Sequence, residues 1–212
     1  MKIKSFAFNP FQENTYVVYD DTKECIIIDP GCYTDKERYQ LRSFITSEGL
    51  KPVKLINTHC HIDHVLGNKF VSELWDLELY IHIEDLPLLE NAGNIGKMYG
   101  LEDYEGSPYP KHFLAQDDTL TFGESSFKIL FTPGHAPGHI CLYSKENNLV
   151  IAGDVLFQGS IGRTDLPGGD HSMLINSIIT QLLPLPEETT VYCGHGASTN
   201  IGKEKMSNPF LV

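Results

Sequence analysis

Three imidazoles and a carboxylate fall within six residues in the run Thr58-His59-Cys60-His61-Ile62-Asp63-His64-Val65-Leu66-Gly67, directly after the apolar segment Val53 to Ile56. That density of donors points to a metal. Histidine and aspartate suit zinc, iron or manganese, whereas thiolate clusters would indicate structural zinc or an iron–sulfur centre. At an extended strand end His59 and His61 would point the same way and Cys60 the opposite way. His59 and His61 are therefore expected to share one ion. Asp63 and His64 follow as the chain turns toward a helix opened by Gly67, so they are expected to reach a second ion. The H-x-H-x-D-H spacing reads as a two-metal site.

A metal site needs groups converging from several elements, and three more candidates lie downstream. His135 follows Thr132-Pro133-Gly134 after the apolar run Phe127 to Phe131. Asp154 follows Gly153 after Leu149 to Ala152, and His195 follows Gly194 after Thr190 to Cys193. Each is an apolar strand, then glycine, then a ligand. Glycine allows close approach of backbone to an ion, and the repeated grammar places the polar groups on one sheet edge.

With these motifs the chain resembles the metallo-β-lactamase-fold hydrolases, and their glyoxalase II-like branch (hydroxyacylglutathione hydrolase) in particular, over about residues 14 to 201. The resemblance is carried by Asp29-Pro30-Gly31, the T-H-C-H-x-D-H run, T-P-G-H ending in His135, Gly153-Asp154, Gly162-Arg163-Thr164-Asp165 and Gly194-His195. It implies His59, His61 and His135 on a first metal, Asp63, His64 and His195 on a second, and Asp154 bridging both. It also implies an αβ/βα sandwich of two mixed sheets with helices on the outer faces, in one domain over 1–212 without the C-terminal helical domain of full glyoxalase II. Only short chain follows His195, and the tyrosine expected two residues after Arg163 is Asp165. The resemblance is to the short bacterial forms ending in Asn208-Pro209-Phe210, whose substrate the motif does not name.

Read independently, the pattern is that of a layered α/β chain. Thr15 to Tyr19 and Cys25 to Asp29 flank the polar turn Asp20-Asp21-Thr22-Lys23 as a hairpin. Asp35 to Ser47 has helical spacing, with Thr34 as N-cap and Gly49 as stop. Asn68 to Trp75 and Ile83 to Glu90 read as helices around the short strand Leu79 to Ile81. A long helix is expected over Ser172 to Leu183, entered from Asp170 and ended by Pro184.

The 212 residues, 41% of them hydrophobic, suffice for one sizeable core. No apolar stretch approaches the roughly 20 residues that span a bilayer, and Met1 to Pro10 lacks the apolar core of a signal peptide. The cytoplasm is the expected location, with no membrane partner. Five cysteines without framework spacing are expected to be reduced thiols. A net charge of −12 argues against nucleic acid as a partner.

The expected chemistry is hydrolysis of a small-molecule thioester. Two divalent cations, zinc first with iron or manganese also accepted by the set, would share Asp154 and a water. Their charge lowers the water's pKa from about 15.7 toward neutrality, giving a bridging hydroxide without a protein nucleophile. A cation stabilises the tetrahedral oxyanion, and no Ser-His-Asp triad is required. Asp63 is expected either to orient the hydroxide proton as well as to ligate, or to ligate only. Asp29 would hydrogen-bond a ligand histidine or serve simply as a turn residue. Arg163, on the loop after Asp154, is the expected contact for a substrate carboxylate.

His139, four residues after His135, is read as supporting structure because Pro137-Gly138 intervenes, and His82, His112 and His171 as surface or capping groups. Asn91 to Pro110 is either a lid carrying Met98, Tyr99, Tyr104 and Tyr109 or an ordinary surface excursion. The competing activity is that of the persulfide dioxygenases, which resemble this chain in the H-x-H-x-D-H run, the Gly-Arg-Thr-Asp loop and a late Asn-Pro. There one iron would sit on His59, His135 and Asp154, leaving His195 without a task. A zinc β-lactamase of the common type would need a cysteine on the second metal. A metal-dependent esterase or lactonase is the remaining hydrolytic alternative, and the oligomeric state is not set by the sequence.

Overall fold

Alternating and continuous apolar runs organise the chain into two mixed sheets, described here from a computed structural model over residues 1–211. The first holds β1 (Lys2–Phe8), β2 (Glu13–Tyr19), β3 (Glu24–Ile28), β4 (Lys51–Ile56), β5 (Leu79–Ile81) and β6 (His112–Phe113), in that spatial order. β1 to β3 are antiparallel, and β3 to β6 run parallel. The β2–β3 pair is the expected hairpin, with Tyr16 opposite Ile28 and Tyr19 opposite Cys25. The edge strand β1 has no counterpart in the sequence reading. It is mostly exposed, so its apolar signal is thin.

Parallel pairing needs a crossover, and α1 (Asp35–Ser47) supplies the one between β3 and β4. Thr34 and Glu37 form the capping box that starts it. α2 (Ile62–Val65) and α3 (Asn68–Trp75) follow β4, and α4 (Leu86–Met98) follows β5 after a short 3₁₀ turn over Ile83–Asp85. The helix expected over Ile83 to Glu90 thus begins as 3₁₀ and runs on to Met98. Its extension takes in the first eight residues, 91–98, of the segment read as a lid or surface excursion. Gly93 and Gly96 fall within this extension, and Gly96 is buried on the face that also carries Leu89 and Ala92. Tertiary packing outweighs the propensity cost of about 1 kcal/mol for each glycine.

The second sheet has the order β14-β13-β10-β9-β8-β7, with β7 (Thr119–Phe122), β8 (Ser125–Phe131), β9 (Ile140–Ser144), β10 (Leu149–Gly153), β13 (Thr190–Cys193) and β14 (Thr199–Asn200). β10 pairs parallel with β13 and antiparallel with β9. A small hairpin, β11 (Leu156–Phe157) with β12 (Ser160–Ile161), leaves the end of β10. α5 (His171–Ser177) starts at the expected N-cap, Asp170, which accepts the Met173 amide at 2.8 Å. The expected single helix over Ser172 to Leu183 changes to π hydrogen bonding at Ile178–Leu182, a spacing that apolar periodicity cannot distinguish from α. α6 (Ile201–Ser207) closes the described chain.

The chain packs as two compact units, 1–113 with 121–125, and 114–120 with 126–211. The first unit's core joins Val17, Ile27, Leu55 and Leu79 of its strands to Leu41, Ile45 and Val71 of its helices. The second unit's core joins Cys141, Val150 and Val191 to Leu174, Ile178 and Leu182. Among the described residues no helix is long and apolar enough to cross a membrane.

Candidate metal centre

In the first unit the donors sit just beyond the C-terminal end of β4. The strand stops at Ile56, so His59 to His61 lie in a loop and not at the extended strand end anticipated. Asn57 and Thr58 are fully buried and turn the chain there. His59 still meets His61, ring centroids 4.8 Å apart, and stands 4.1 Å from His64. Asp63 and His64 belong to the single turn α2, one turn before the helix that Gly67 opens. The Cys60 thiol is buried, which pushes its pKa well above the usual thiol range, and its amide is held by Asp85 at 2.7 Å. Cys60 belongs to none of the metal-ligand groups formed by the described residues.

The hydrogen bonds around these rings fix which nitrogen is available. Asp29 accepts the Thr58 amide at 2.7 Å through one oxygen, and the Thr58 hydroxyl at 2.6 Å through the other. That hydroxyl's single hydrogen is donated to Asp29, so at its 3.1 Å contact with His59 Nδ1 the ring must donate. His64 Nδ1 lies 3.1 Å from the Asp29 carboxylate, an acceptor only, so it too carries the proton. In both rings the lone pair is left on Nε2, the tautomer a metal requires. Asp29, His59 and His64 lie close enough to resemble a ligand triad, but the Asp29 oxygens are committed to Thr58 and His64 Nδ1. Asp29 orients the rings of His64 and, through Thr58, His59.

The Asp29-Pro30-Gly31 turn shapes the floor beneath them. Asp29 has φ +49°. A Cβ on Gly31 would collide with the Glu13 carboxylate and the Asp63 carbonyl. Asn9 ties the two segments together, donating to Gly31 O at 3.1 Å and to Asp63 O at 2.9 Å. Glu13, fully buried 4.0 Å from His64 Nδ1, has its pKa raised well above the carboxylate range by burial. The sequence reading missed Asn9, Glu13 and Asp85, which stand far from the histidine run in the chain and carry no local signature.

In the second unit His135, Asp154 and His195 come together. The T-P-G-H turn needs its glycine: Gly134 has φ +132°, and a Cβ there would strike the backbone of Leu174. Asp154 Oδ2 is 3.5 Å from His135 Nε2 and 3.5 Å from His195 Nε2. Two ligands on one ion, with bonds of about 2.1 Å at tetrahedral angles, stand about 3.4 Å apart. In the first unit, Asp63 Oδ2 and His64 Nε2 are similarly spaced at 3.6 Å. His135 Nδ1 donates to Arg163 O at 2.7 Å, again leaving Nε2 for a metal. The donor set and the tautomers fit divalent ions of the zinc, iron and manganese group.

His139 is fully buried, and its Nε2 accepts the Asp154 amide at 3.0 Å while Nδ1 meets the Thr132 hydroxyl at 3.2 Å. It holds the backbone of Asp154, the supporting role anticipated. His82 accepts the Glu84 amide at 3.2 Å as a cap, and His112 pairs with Glu78 at 2.6 Å on the surface. Arg163 forms a bidentate pair with Asp165, Nε to Oδ1 at 2.7 Å and Nη2 to Oδ2 at 2.8 Å. Those hydrogen bonds hold the Asp165 carboxyl down at about 2. All five cysteines are free and buried, as reduced thiols should be.

The late Asn208-Pro209-Phe210 motif is structural. Asn208, fully buried, donates to Ser160 O at 3.0 Å and to Glu204 Oε2 at 2.9 Å. Glu204 in turn accepts the Gly159 amide at 2.8 Å. α6 therefore clamps the β11–β12 hairpin, whose Phe157 ring packs 6.3 Å from His195.

Comparison with known proteins agrees with this geometry. The chain is 40% identical, over its full length and 98% of the relative, to the probable metallo-hydrolase YqgX of Bacillus subtilis. It is 38% identical, with the same coverage, to the hydroxyacylglutathione hydrolase GloC of Haemophilus influenzae. Among solved structures it resembles the BLEG-1 B3 metallo-beta-lactamase (TM-score 0.91, 38% identity, all of both chains). It also resembles TTHA1623 in a di-iron-bound form (0.88, 39%, 98% of this chain and all of that one). A third likeness is to ETHE1 of Myxococcus xanthus (0.80, 25%, 99% of this chain and 84% of that one). The family model for the metallo-beta-lactamase superfamily matches residues 8–195. With its two mixed sheets and its His/Asp ligand sets, the chain belongs to the metallo-beta-lactamase superfamily.

Proposed function

We propose that this metallo-hydrolase is a dinuclear thioesterase of the glyoxalase II type, splitting a 2-hydroxyacyl thioester into a 2-hydroxy acid and a thiol. In this reading the chain works as one domain on a small molecule, in the cytoplasm. His59, His61 and His135 would hold one ion, Asp63, His64 and His195 the other, and Asp154 both. The observation that carries the reading is Asp154, whose Oδ2 is flanked at equal distance by His135 and His195. A carboxylate set between two imidazoles suits a bridging ligand, and it gives His195 a task that a single-iron site lacks. The likeness to GloC, by its name a hydroxyacylglutathione hydrolase, supports the acyl-thiol substrate class.

When bound, two divalent ions supply Lewis acidity and a water ionised near neutral pH. The chain's own groups do the rest. Asp63 accepts and orients the proton of the attacking water. Asp29 and the Arg163 carbonyl hold His64 and His135 with Nε2 forward, so ligand orientation is set before substrate arrives. Arg163 borders the substrate's thiol portion.

The second reading is a mononuclear iron persulfide dioxygenase on His59, His135 and Asp154, and the likeness to ETHE1 is the observation on its side. One experiment separates them. Metal-loaded protein is given S-lactoylglutathione, a panel of non-glutathione thioesters and a glutathione persulfide in an oxygen-electrode cell, with Asp154→Ala as control. Asp154-dependent thiol release without oxygen uptake supports the thioesterase. Oxygen uptake with persulfide and no thioester turnover overturns it.

A further inference from the structure

The turn that carries Asp63 and His64 is too short to hold itself. A single helical turn leaves its last four carbonyls without partners inside it, and α2 has only 4 residues. Its two ligands are gripped through their carbonyls by asparagine side chains from elsewhere in the first unit. Asn9 donates to Asp63 O at 2.9 Å, and Asn57 donates to His64 O at 3.0 Å. Asp63 Oδ2 lies 3.6 Å from His64 Nε2, so a small rotation of this turn would spoil the spacing that two ligands of one ion require.

Asn57 is itself held from behind. It and Asn68, both fully buried, face each other as an amide pair. Asn57 Nδ2 donates to Asn68 Oδ1 at 3.3 Å, and Asn68 Nδ2 donates to Asn57 Oδ1 at 2.8 Å. Each side-chain amide has two hydrogens, and the second of each leaves the pair. That of Asn57 goes to His64 O, and that of Asn68 goes to Ser107 Oγ at 3.0 Å. Turning Asn57 over would set its oxygen against the His64 carbonyl, so the pair has one arrangement. Packing alone would be served about as well by two apolar side chains of the same shape. What the amides add is a directed link from Ser107 to His64.

Ser107 belongs to a strap after α4 that is anchored along its length. Leu101 N donates to Gly96 O at 2.8 Å, Asp103 N donates to the Tyr33 hydroxyl at 3.1 Å, and Arg38 pairs with Glu105 at 2.7 Å. Tyr104 Oη lies 2.9 Å from Ser107 Oγ, the atom that receives Asn68. The far end of the link is therefore tied to both α1 and α4.

We infer that Ser107, Asn68 and Asn57 are positioning residues: through them the strap over residues 101–107 sets the backbone of His64, and with it the Nε2 that faces the ion. His59 takes its orientation from Thr58 and Asp29, outside this link, so losing the link falls on one ion of the two. The inference rests on the two-metal reading for that second ion, and its test lets the two fail separately.

The metal arm strips zinc from loaded protein with a chromophoric chelator, and His64→Gln identifies the ion in question by its loss. Ser107 is half-buried, so Ser107→Ala keeps the fold. It should weaken that ion about tenfold, as removal of a group that orients a ligand does, and leave the other within about twofold. Ser107→Thr retains the oxygen and should match wild type. In an Asn57→Ala background, Ser107→Ala should have no further effect, because both cut the same link; if Asn57→Ala fails to fold, the serine variants decide. The proton arm uses nuclear magnetic resonance at saturating zinc to follow the Nδ1 proton that His64 donates to Asp29, assigned by its disappearance in His64→Gln. Ser107→Ala should move that signal and leave the His59 Nδ1 proton in place. Equal weakening of both ions, no weakening, or an unmoved His64 signal overturns the inference. One ion per chain in wild type overturns the two-metal reading and leaves the proton arm to decide the role of Ser107.

Discussion

The Asp29 carboxylate stands 3.1 Å from Nδ1 of His64, and the same oxygen accepts the Thr58 hydroxyl at 2.6 Å. One acceptor therefore sets the tautomer of His64 directly and that of His59 through Thr58. Asp29→Asn presents an amide donor to groups that must themselves donate. The variant should fold and lose about 10- to 100-fold in metal affinity, measured by competition with a chromophoric chelator. Unchanged affinity would show that the rings are oriented by other contacts.

His139 supports Asp154 by accepting its backbone amide at 3.0 Å in a fully buried setting. His139→Ala leaves that amide unsatisfied, which should cost about 1–3 kcal/mol in urea unfolding. His139→Gln retains an acceptor oxygen and should recover part of the loss.

In the second unit α6 and the residue after it hold the β11–β12 hairpin, whose Phe157 lies beside His195. Asn208→Ala removes the donors that hold Ser160 O and Glu204. A loss of about 2 kcal/mol of stability is expected, with faster proteolysis of the β11–β12 hairpin and a weaker hold on His195. If limited proteolysis finds the hairpin as protected as in wild type, the clamp is not what orders it.

The cysteines predict an alkaline limit. Burial pushes Cys25, Cys32, Cys141 and Cys193 up to about 12, whereas an unfolded thiol ionises at about 8.5. A pKa raised by folding contributes stability that is complete below the unfolded value and is lost as pH rises toward the folded one. Stability should therefore fall from about pH 8.5 to 12. At pH 8 a thiol reagent should label these four positions slowly in the native protein and fast in urea. Fast native labelling would contradict their burial.

Much of this was legible in the sequence because it is local. The histidine run, the strand–glycine–ligand grammar and the hairpin each announce themselves within about ten residues, since alternation and turn residues act at short range. What was missed acts at a distance. Glu13, Asp85 and Glu204 are buried acids whose purpose lies in partners brought close only by folding, and β1 is an exposed edge strand with little apolar signal. The extension of α4 past Glu90 was not legible because packing around Leu89, Ala92 and Gly96 outweighs the low helix propensity of glycine. Arg163 and Asp165 could be read as two residues of one loop motif, but not as a bidentate ion pair. That required the side-chain geometry.

The central claim is a two-metal centre in which His195 and Asp154 both serve. The most direct measurement is the metal content of protein reconstituted with excess zinc and then desalted, by elemental analysis, for wild type and His195→Ala. The account predicts two ions per chain in wild type and one in His195→Ala. One ion per chain in both would contradict it.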